Sequence, residues 1–260
     1  MRVAVITGAS SGIGAAFARK LAAEGMRLVL VARRAERLET LAAELRSLGA
    51  AEVDSVPADL TVEQDLARVL EHIGALDGLD LLINSAGFGI PGSLWETAWE
   101  PQSALIRLHT DALPRLCRAS APLLIRAKGR GIINVASIGA LIPKPGDAVY
   151  CASKAFVVAL SVALADEFAG TGVHVQALCP GFTRTEFYAT PAYAGMRISV
   201  PRWLWHSADQ VARSALRALA AGRVVHVPGL LNRLLVGVAR TGGRRLLFGV
   251  LDQAVTRAPQ

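Results

Sequence analysis

The feature that most restricts the fold is a glycine-rich turn between the first strand-like segment and the first helix-like segment. Residues 3–6 form a short apolar run, residues 7–14 read TGASSGIG, and a helical pattern covers residues 13–24. Glycines at such a turn allow a tight bend and let the backbone approach a pyrophosphate, which meets free amides at the helix N-terminus. Glycine-rich turns also form for steric reasons alone, but the strand before this one and the helix after it favour a dinucleotide site.

Short β-branched runs alternate with alanine- and leucine-rich helical stretches along most of the chain. Further strands are predicted at residues 27–31, 53–57, 79–83, 131–135 and 173–178, and further helices at residues 36–48 and 63–72. Most of these strands are apolar at consecutive positions, which is typical of strands covered on both faces. The predicted fold class is therefore α/β, with a parallel sheet that is wound on both faces by helices.

The chain is expected to form a single dinucleotide-binding and catalytic domain over residues 1–228. The 260 residues are 52% hydrophobic and 19% charged, which favours an extensive core over disorder. Residues 229–260 are apolar, arginine-studded and interrupted by glycines, and they are predicted to be a helical extension packed on this domain or on a partner subunit. The alternatives are a cap on the substrate cleft and contact with an anionic membrane surface, of which the glycines weaken the second.

Charge and cysteine content limit the partners and the compartment. The net charge of +7 would suit an anionic partner, but arginine doublets occur only at Arg33-Arg34 and Arg244-Arg245. Because no nucleic-acid signature accompanies them, nucleic-acid binding is not expected, and no metal site is predicted. Three widely spaced cysteines without a CxxC pair favour a reducing compartment. With no leader-like or membrane-spanning segment recognised in the sequence, a cytoplasmic location is expected.

The end of the second predicted strand bears on the identity of the dinucleotide. In NAD-binding units a carboxylate at this position accepts hydrogen bonds from the adenosine ribose, but here Arg33 and Arg34 follow the strand and the first acidic residue is Glu36. A guanidinium can bind a ribose 2′-phosphate bidentately, whereas a carboxylate would repel it. The sequence therefore favours NADP(H) over NAD(H). The alternative is that both arginines only begin a solvated helix.

A tyrosine and a lysine four residues apart, Tyr150 and Lys154, lie at the start of a long helical stretch. Residues at this spacing share a helix face, with Cβ atoms about 5–6 Å apart. The ordinary phenol pKa of about 10 is high for proton exchange at neutral pH, and a nearby cation is expected to lower it. Ser137, at the end of a predicted strand, is placed to hold a substrate oxygen beside the phenol. Because such pairs are common on helices, the specificity comes from the combination with the glycine-rich turn.

Together these segments resemble the short-chain dehydrogenase/reductase family. The matching motifs are, in order, TGASSGIG at residues 7–14, Asp59-Leu60, Asn84-Ser85-Ala86-Gly87, NVAS at residues 134–137, the Tyr150/Lys154 pair and Pro180-Gly181-Phe182-Thr183. The resemblance covers about residues 1–228. It implies a Rossmann-type, doubly wound sheet of about seven strands and an NADP-dependent oxidoreductase that interconverts a carbonyl and an alcohol. A non-catalytic dinucleotide-binding or regulatory protein on the same fold is the alternative.

The resemblance also implies roles for individual residues. Tyr150 would be the general acid/base, Ser137 would orient the carbonyl, and Lys154 would hold the nicotinamide ribose and lower the tyrosine pKa. The residues implied to bind the cofactor are Gly8, Ser10, Ser11, Gly12, Ile13, Gly14, Arg33, Arg34, Asp59, Leu60, Asn84, Ala86, Gly87, Tyr150, Lys154, Pro180, Gly181, Thr183 and Thr185. Asn84 in this motif more often supports the central strand. Members commonly form dimers and tetramers, so a homodimer or homotetramer is expected.

One position departs from the family pattern. Many members place an asparagine on the helix before the fifth strand, where it positions a water in a proton relay with the lysine. Alignment of LIRLHTDAL, residues 105–113, puts His109 at this position. A histidine can also hold water, and it titrates near neutrality. Three interpretations stay open: His109 is a substituted catalytic relay residue, the alignment is shifted by one position, or the relay is not used.

The substrate side is expected to lie in residues 186–206, after the Pro180 loop. In a chain that is only 5% aromatic, this segment concentrates large side chains, namely Phe187, Tyr188, Tyr193, Met196, Trp203 and Trp205. That composition favours a bulky or apolar carbonyl or alcohol substrate, with Phe88 and Ile90 as further candidates for the pocket wall. The alternative is a lid helix that buries its own aromatic side chains against the core.

Overall fold

A seven-stranded sheet forms the centre of the computed structural model, which describes residues 1–194, 196–198, 200–239 and 255–257. Its strands are β1 (Val3–Thr7), β2 (Arg27–Ala32), β3 (Glu52–Pro57), β4 (Leu81–Asn84), β5 (Gly131–Val135), β6 (His174–Leu178) and β10 (Val225–His226). The strand order is β10-β6-β5-β4-β1-β2-β3, and every pairing is parallel. This is the predicted Rossmann-type sheet, and its order reverses direction between β1 and β4.

Helices cover both faces of the sheet. They are α1 (Gly12–Ala23), α2 (Ala35–Ser47), α3 (Glu63–Gly74), α4 (Trp99–Ile106), α5 (Leu113–Ala127), α6 (Ala148–Glu167), α7 (Ala208–Ala220) and α8 (Leu230–Val238). One apolar layer lies under α1, α2 and α7 and contains Leu28, whereas the layer under α3, α5 and α6 contains Val29. Successive residues of β2 thus enter opposite layers, which is why the strands are apolar at consecutive positions.

Four short strands lie outside the main sheet. The strand β7 (Thr183–Arg184) pairs in parallel with β9 (His206–Ser207), and β8 (Met196–Ile198) pairs antiparallel with β11 (Val255–Arg257). The C-terminal extension begins with the predicted helix, α8, but the prediction of a helical extension was wrong at Val255–Arg257. The backbone of these residues, two of which are β-branched, pairs with β8 as a strand. Residues 240–254, which hold most of the predicted tail, lie outside the described residues.

The helix α6 has an unusual composition for a surface layer. Among the described helices it is the one long and apolar enough to cross a membrane by length and composition, a property that the sequence prediction did not recognise. Core helices of other proteins pass the same test. Here α6 packs against β5 and β6 and buries Lys154 and Ser161, so these two polar side chains face the interior of the domain.

Candidate active site

A cavity of about 540 Å³ opens at the carboxyl ends of the strands, at the point where the strand order reverses. In open α/β sheets this is where ligands bind. The predicted cofactor residues that line it are Gly8, Ser10, Ser11, Gly12, Ile13, Arg33, Arg34, Asp59, Leu60, Ala86, Gly87, Tyr150, Lys154, Pro180, Gly181, Thr183 and Thr185. Ser137 lies in the same wall, so the fold brings most of the predicted residues to one cleft.

The glycine-rich turn is shaped by steric limits as well as by its free amides. Gly8 and Gly12 have φ values of +64° and +57°, which favour glycine. A Cβ on Gly8 would lie 2.7 Å from the Ser85 carbonyl oxygen, and one on Gly14 would lie 2.3 Å from the Gly8 oxygen. The N-cap residue of α1, Ser11, makes no capping hydrogen bond, so the first amides of the helix remain available to an anion.

Two predicted cofactor residues contribute to packing and do not line the cavity. Gly14 allows the first turn of α1 to pass close to Gly8, because a Cβ at position 14 would clash with the Gly8 backbone. The buried Asn84 donates its amide to Asn134 Oδ1 at 2.9 Å, and Asn134 donates to Ser161 Oγ at 3.0 Å. Asn84 therefore ties β4 to β5 and, through Asn134, to α6 beneath the site.

A cluster of charged groups lies at the rim of the glycine-rich turn. The Arg34 guanidinium donates to Ser10 Oγ and Ser11 Oγ, both at 3.1 Å, and to Glu186 Oε2 at 3.0 Å. Arg37 shares the same Glu186 carboxylate at 2.5 Å. Sequence reasoning missed Arg37 and Glu186, although Arg37 lies one helical turn beyond the arginine doublet. The cluster gives this end of the cavity a positive edge.

The predicted catalytic residues converge in the middle of the cavity. Tyr150 lies on the first turn of α6, and the Ser137 hydroxyl lies near its phenol, where it favours a lower pKa of the phenol. Ser137 also accepts a 3.0 Å bond from the Gly139 amide, which fixes the hydroxyl at the end of β5. Lys154 Nζ donates to the Val135 carbonyl at 2.7 Å and lies 5.9 Å from the centroid of the Tyr150 ring. Two hydroxyls and an ammonium thus surround one point.

Burial controls the protonation of these groups. It raises the pKa of the Tyr150 phenol above its ordinary value, and the Ser137 hydroxyl only partly opposes this. Burial also lowers the pKa of Lys154 to about 7. The pKa of the phenol is thus raised by loss of water, not lowered as expected, and the charge of Lys154 is not among the causes of its shift. At neutral pH the phenol keeps its proton and is ready to donate it.

His109 lies beside Lys154, on a π-helical turn (Arg107–Ala112) between α4 and α5. It is fully buried, and its Nδ1 is 2.9 Å from Ser153 Oγ. Ser153 Oγ also lies 2.9 Å from the Tyr150 carbonyl oxygen, and with its proton directed there the hydroxyl accepts from His109. The proton of the ring is consequently on Nδ1, and Nε2 is left as an acceptor.

The free nitrogen of His109 faces the catalytic lysine. Nε2 is buried without a hydrogen-bond partner among the described residues, and a Cβ on Gly87 would lie 3.5 Å from both His109 Nε2 and Lys154 Nζ. Burial and the charge of Lys154 hold the pKa of His109 well below its ordinary value. The expectation that His109 titrates near neutrality was therefore wrong: it is a neutral acceptor.

Aromatic side chains close the far end of the cavity. The Phe187 ring lies 6.0 Å from that of Tyr150 and 5.6 Å from that of Tyr193, and Tyr188 lies 5.3 Å from Tyr193. They stand on short 3₁₀ turns, Glu186–Ala189 and Pro191–Tyr193, so the alternative of a lid helix was wrong. We call Phe187, Tyr188 and Tyr193 the aromatic wall.

The other large side chains of this region have different positions. Phe88 lines the cavity but Ile90 does not. Trp205 packs on Phe182 at 5.6 Å, Trp203 is 67% exposed, and the side chain of Met196 lies outside the described residues. The segment therefore supplies only part of its aromatic content to the cavity.

Further residues of the cavity wall were missed from the sequence, among them Lys144, Asp147, Asn232 and Leu235. Asn232 is 1% exposed on α8, and a Cβ on Gly181 would lie 2.6 Å from its amide nitrogen. The extension after residue 228 therefore holds the Pro180 loop in place. Its first helix packs within the protein, as one of the alternatives for the tail predicted.

Comparisons with known proteins agree with this geometry. A profile of the family described as short chain dehydrogenase matches residues 2–192. An uncharacterized oxidoreductase from Staphylococcus epidermidis is 36% identical over 188 residues, or 71% of this chain and 79% of that protein. A short-chain dehydrogenase from Sphingobium yanoikuyae, solved in complex with NADPH, is 36% identical, with a TM-score of 0.82 over 96% of each chain. The bulky-bulky ketone specific alcohol dehydrogenase from Comamonas testosteroni is 32% identical, with a TM-score of 0.78 over 93% of each chain.

Proposed function

This chain belongs to the short-chain dehydrogenase family of oxidoreductases, and we propose that it is an NADP-dependent enzyme that interconverts a carbonyl and an alcohol. The observation that carries the proposal is the convergence of Ser137, Tyr150 and Lys154 on one cavity, together with the glycine-rich turn and the aromatic wall. A non-catalytic dinucleotide-binding protein would have no need of this convergence. A screen of ketones and aldehydes followed by NADPH absorbance, and repeated with NADH, tests the activity and the cofactor together.

The residues of the cavity fit a nicotinamide dinucleotide. The free amides at the start of α1 and the close approach allowed by Gly8 suit a pyrophosphate. Lys154 is placed to hold a ribose hydroxyl, and the Pro180 loop, supported by Asn232, to hold the carboxamide end. When bound, the cofactor supplies or accepts the hydride. The protein binds and orients it, and the apolar wall limits the access of water to the reacting carbon.

The proton is handled by the chain itself. The Ser137 and Tyr150 hydroxyls are placed to hold a carbonyl oxygen, and the protonated phenol donates as that oxygen gains charge. Because burial favours the neutral phenol, the arrangement supports carbonyl reduction. The neutral His109 ring and Lys154 both face Gly87, so a water there would be held by an acceptor and a donor on the route that recharges Tyr150.

Removing the positive edge of the cavity is expected to change the choice of cofactor. In Arg33→Ala/Arg34→Ala, the KM for NADPH should rise about 10- to 100-fold, since charge-assisted bonds to a 2′-phosphate are lost, whereas the KM for NADH should stay within a factor of about three. Steady-state kinetics with both cofactors measures this. Arg37→Ala is the matched control, because Arg37 shares Glu186 but does not line the cavity. Equal changes for NADPH and NADH would contradict the assignment.

The relay role of His109 predicts a graded series. His109→Phe should lower kcat about 10- to 100-fold, because the acceptor that holds the relay water is lost. His109→Asn keeps an acceptor, so its kcat should decrease much less. Ser153→Ala removes the bond to the His109 ring, and its kcat should lie between those of His109→Phe and His109→Asn. The Kd for NADPH should be unchanged in all three. A His109→Phe enzyme with the kcat of the wild type would show that the relay is not used.

Surface features support the remaining proposals on partners and location. The outer face of α6 exposes Phe156 and Val162, at 37% and 41%, and an apolar helical face of this kind suits a homodimer or homotetramer. None of the three cysteines forms a disulfide and all are buried, which supports a reducing compartment such as the cytoplasm. The substrate is proposed to be a small carbonyl or alcohol with a bulky or apolar body, because the aromatic wall faces Tyr150. Neither nucleic acid nor a membrane surface is proposed as a partner.

A further inference from the structure

A buried carboxylate, Asp147, lines the substrate end of the cavity without a structural duty that accounts for it. It is 8% exposed and immediately precedes the catalytic helix α6 as its N-cap residue. An aspartate at an N-cap usually accepts hydrogen bonds from the first amides of the helix. Asp147 makes no such side-chain bond, so capping does not explain why a carboxylate stands there.

The two oxygens of Asp147 have unequal surroundings. Oδ2 forms an ion pair with Lys144, whereas Oδ1 is buried and has no hydrogen-bond partner among the described residues. An unpaired buried acceptor destabilises a fold, because its bonds to water are not replaced. Burial accordingly raises the pKa of Asp147. An acceptor kept in a ligand cavity at such a cost is one that a ligand can satisfy.

The position of Asp147 limits the ligand group that reaches it. Asp147 lines the same cavity as Tyr150, Tyr188 and Tyr193, and its charge raises the pKa values of all three, so the carboxylate lies near the catalytic tyrosine and the aromatic wall. Asp147 and Tyr150 are three residues apart at the start of one helix, where Cβ atoms lie about 5–6 Å from each other. Because both side chains line one cavity, a substrate whose oxygen is bonded to Tyr150 would reach Asp147 through a group carried near its reacting carbon.

We propose that Asp147 is a specificity-determining residue that accepts a hydrogen bond, through Oδ1, from a hydroxyl group carried by the substrate close to its reacting carbonyl. This rests on the proposed function of the site. The substrate class is then a hydroxy ketone whose apolar remainder packs against the aromatic wall, and its reduction yields a diol. Lys144 is the partner that keeps the carboxylate ionised and correctly oriented.

Matched ketone pairs test this directly. α-Hydroxyacetophenone and propiophenone differ by a hydroxyl in place of a methyl group, and β-hydroxypropiophenone and butyrophenone repeat the exchange one carbon further out. We would measure kcat/KM with NADPH for the wild type, Asp147→Leu and Lys144→Met, and take the hydroxyl-to-methyl ratio within each enzyme. The two ketones of a pair also differ in intrinsic reactivity, which contributes to the ratio in every enzyme. Because this contribution is the same for the wild type and Asp147→Leu, it cancels when their ratios are compared.

The hydroxyl-to-methyl ratio is expected to fall at least about 10-fold in Asp147→Leu for one of the two pairs, since a bond to a charged acceptor is lost. In Lys144→Met the ratio should also fall, but by a smaller factor, because the carboxylate stays in place and loses only the partner that favours its ionised form, and the Kd for NADPH should be unchanged in both variants. An unchanged ratio in Asp147→Leu, with both ketones of each pair slowed equally, would make Asp147 structural and overturn the inference alone. A wild type that turns over none of the four ketones would overturn the proposed function and this inference with it.

Discussion

Tyr150→Phe is expected to lower kcat for carbonyl reduction about 1,000-fold, while NADPH binding stays within a factor of about three. In the proposed reaction the phenol donates the proton to the substrate oxygen, the Ser137 hydroxyl lies near it, and burial keeps it protonated. Phenylalanine fills the same space without a proton to give. The decrease in NADPH absorbance measures turnover, and fluorescence titration measures cofactor binding.

Tyr188→Phe is the matched control for this variant. Tyr188 is another tyrosine of the same cavity, and its removal deletes a phenol oxygen of the aromatic wall without touching the Ser137–Tyr150 pair. It should change kcat by less than about 10-fold. A Tyr150→Phe enzyme that retained more than a tenth of the wild-type kcat would show that another group donates the proton.

Lys154→Met is expected to have the second-largest effect, a loss of about 100- to 1,000-fold in kcat/KM for NADPH. Lys154 is 4% exposed, lies beside the phenol and is placed to hold the ribose, so its removal affects both cofactor binding and the proton route. Methionine keeps the volume of the side chain, which separates loss of the charge from loss of packing.

The same lysine predicts a dependence on pH. Because burial lowers the pKa of Lys154 to about 7, its ammonium is present below that pH and is lost above it. The kcat/KM for NADPH reports groups of the free enzyme, so it should decrease as the pH rises through about 7 in the wild type. Lys154→Arg keeps its charge and should show no such decrease. A wild-type profile that is flat between pH 6 and 8 would contradict this role of the lysine.

Much of the fold could be predicted from local pattern. The six predicted strands are present within two residues at either end, because consecutive apolar positions mark strands that are buried on both faces. The two-residue strand β10 was missed, since two residues give no periodicity. The strand at Val255–Arg257 was missed because it depends on pairing with β8, far away in the sequence.

The candidate site was predictable where motif and local structure coincide. The glycine-rich turn, Ser137 and the Tyr150/Lys154 pair line one cavity, since parallel strands bring their carboxyl ends to one edge of the sheet. Asp147 was overlooked although it lies three residues before Tyr150. Asn232 carried no local signal, because its role exists only through its contact with Gly181.

Protonation states were the least predictable property. Spacing along a helix suggested that Lys154 would lower the pKa of Tyr150 and that His109 would titrate near neutrality. Tyr150 and His109 lie in a buried environment that only the tertiary structure defines. Loss of water disfavours the charged form of each group, so it raises the pKa of Tyr150 and lowers the pKa of His109. The chemistry proposed for the site follows from this burial as much as from the residue types.

The most direct test of the central claim follows the hydride itself. NADPH carrying deuterium at C4 of the nicotinamide, prepared separately with either configuration, is incubated with the enzyme and a ketone that it reduces, and the alcohol is analysed by mass spectrometry. Direct transfer in one fixed orientation predicts one deuterium on the carbinol carbon with one of the two cofactors and none with the other. An alcohol without deuterium from either cofactor, or no alcohol at all from any carbonyl supplied with NADPH or NADH, would contradict the account.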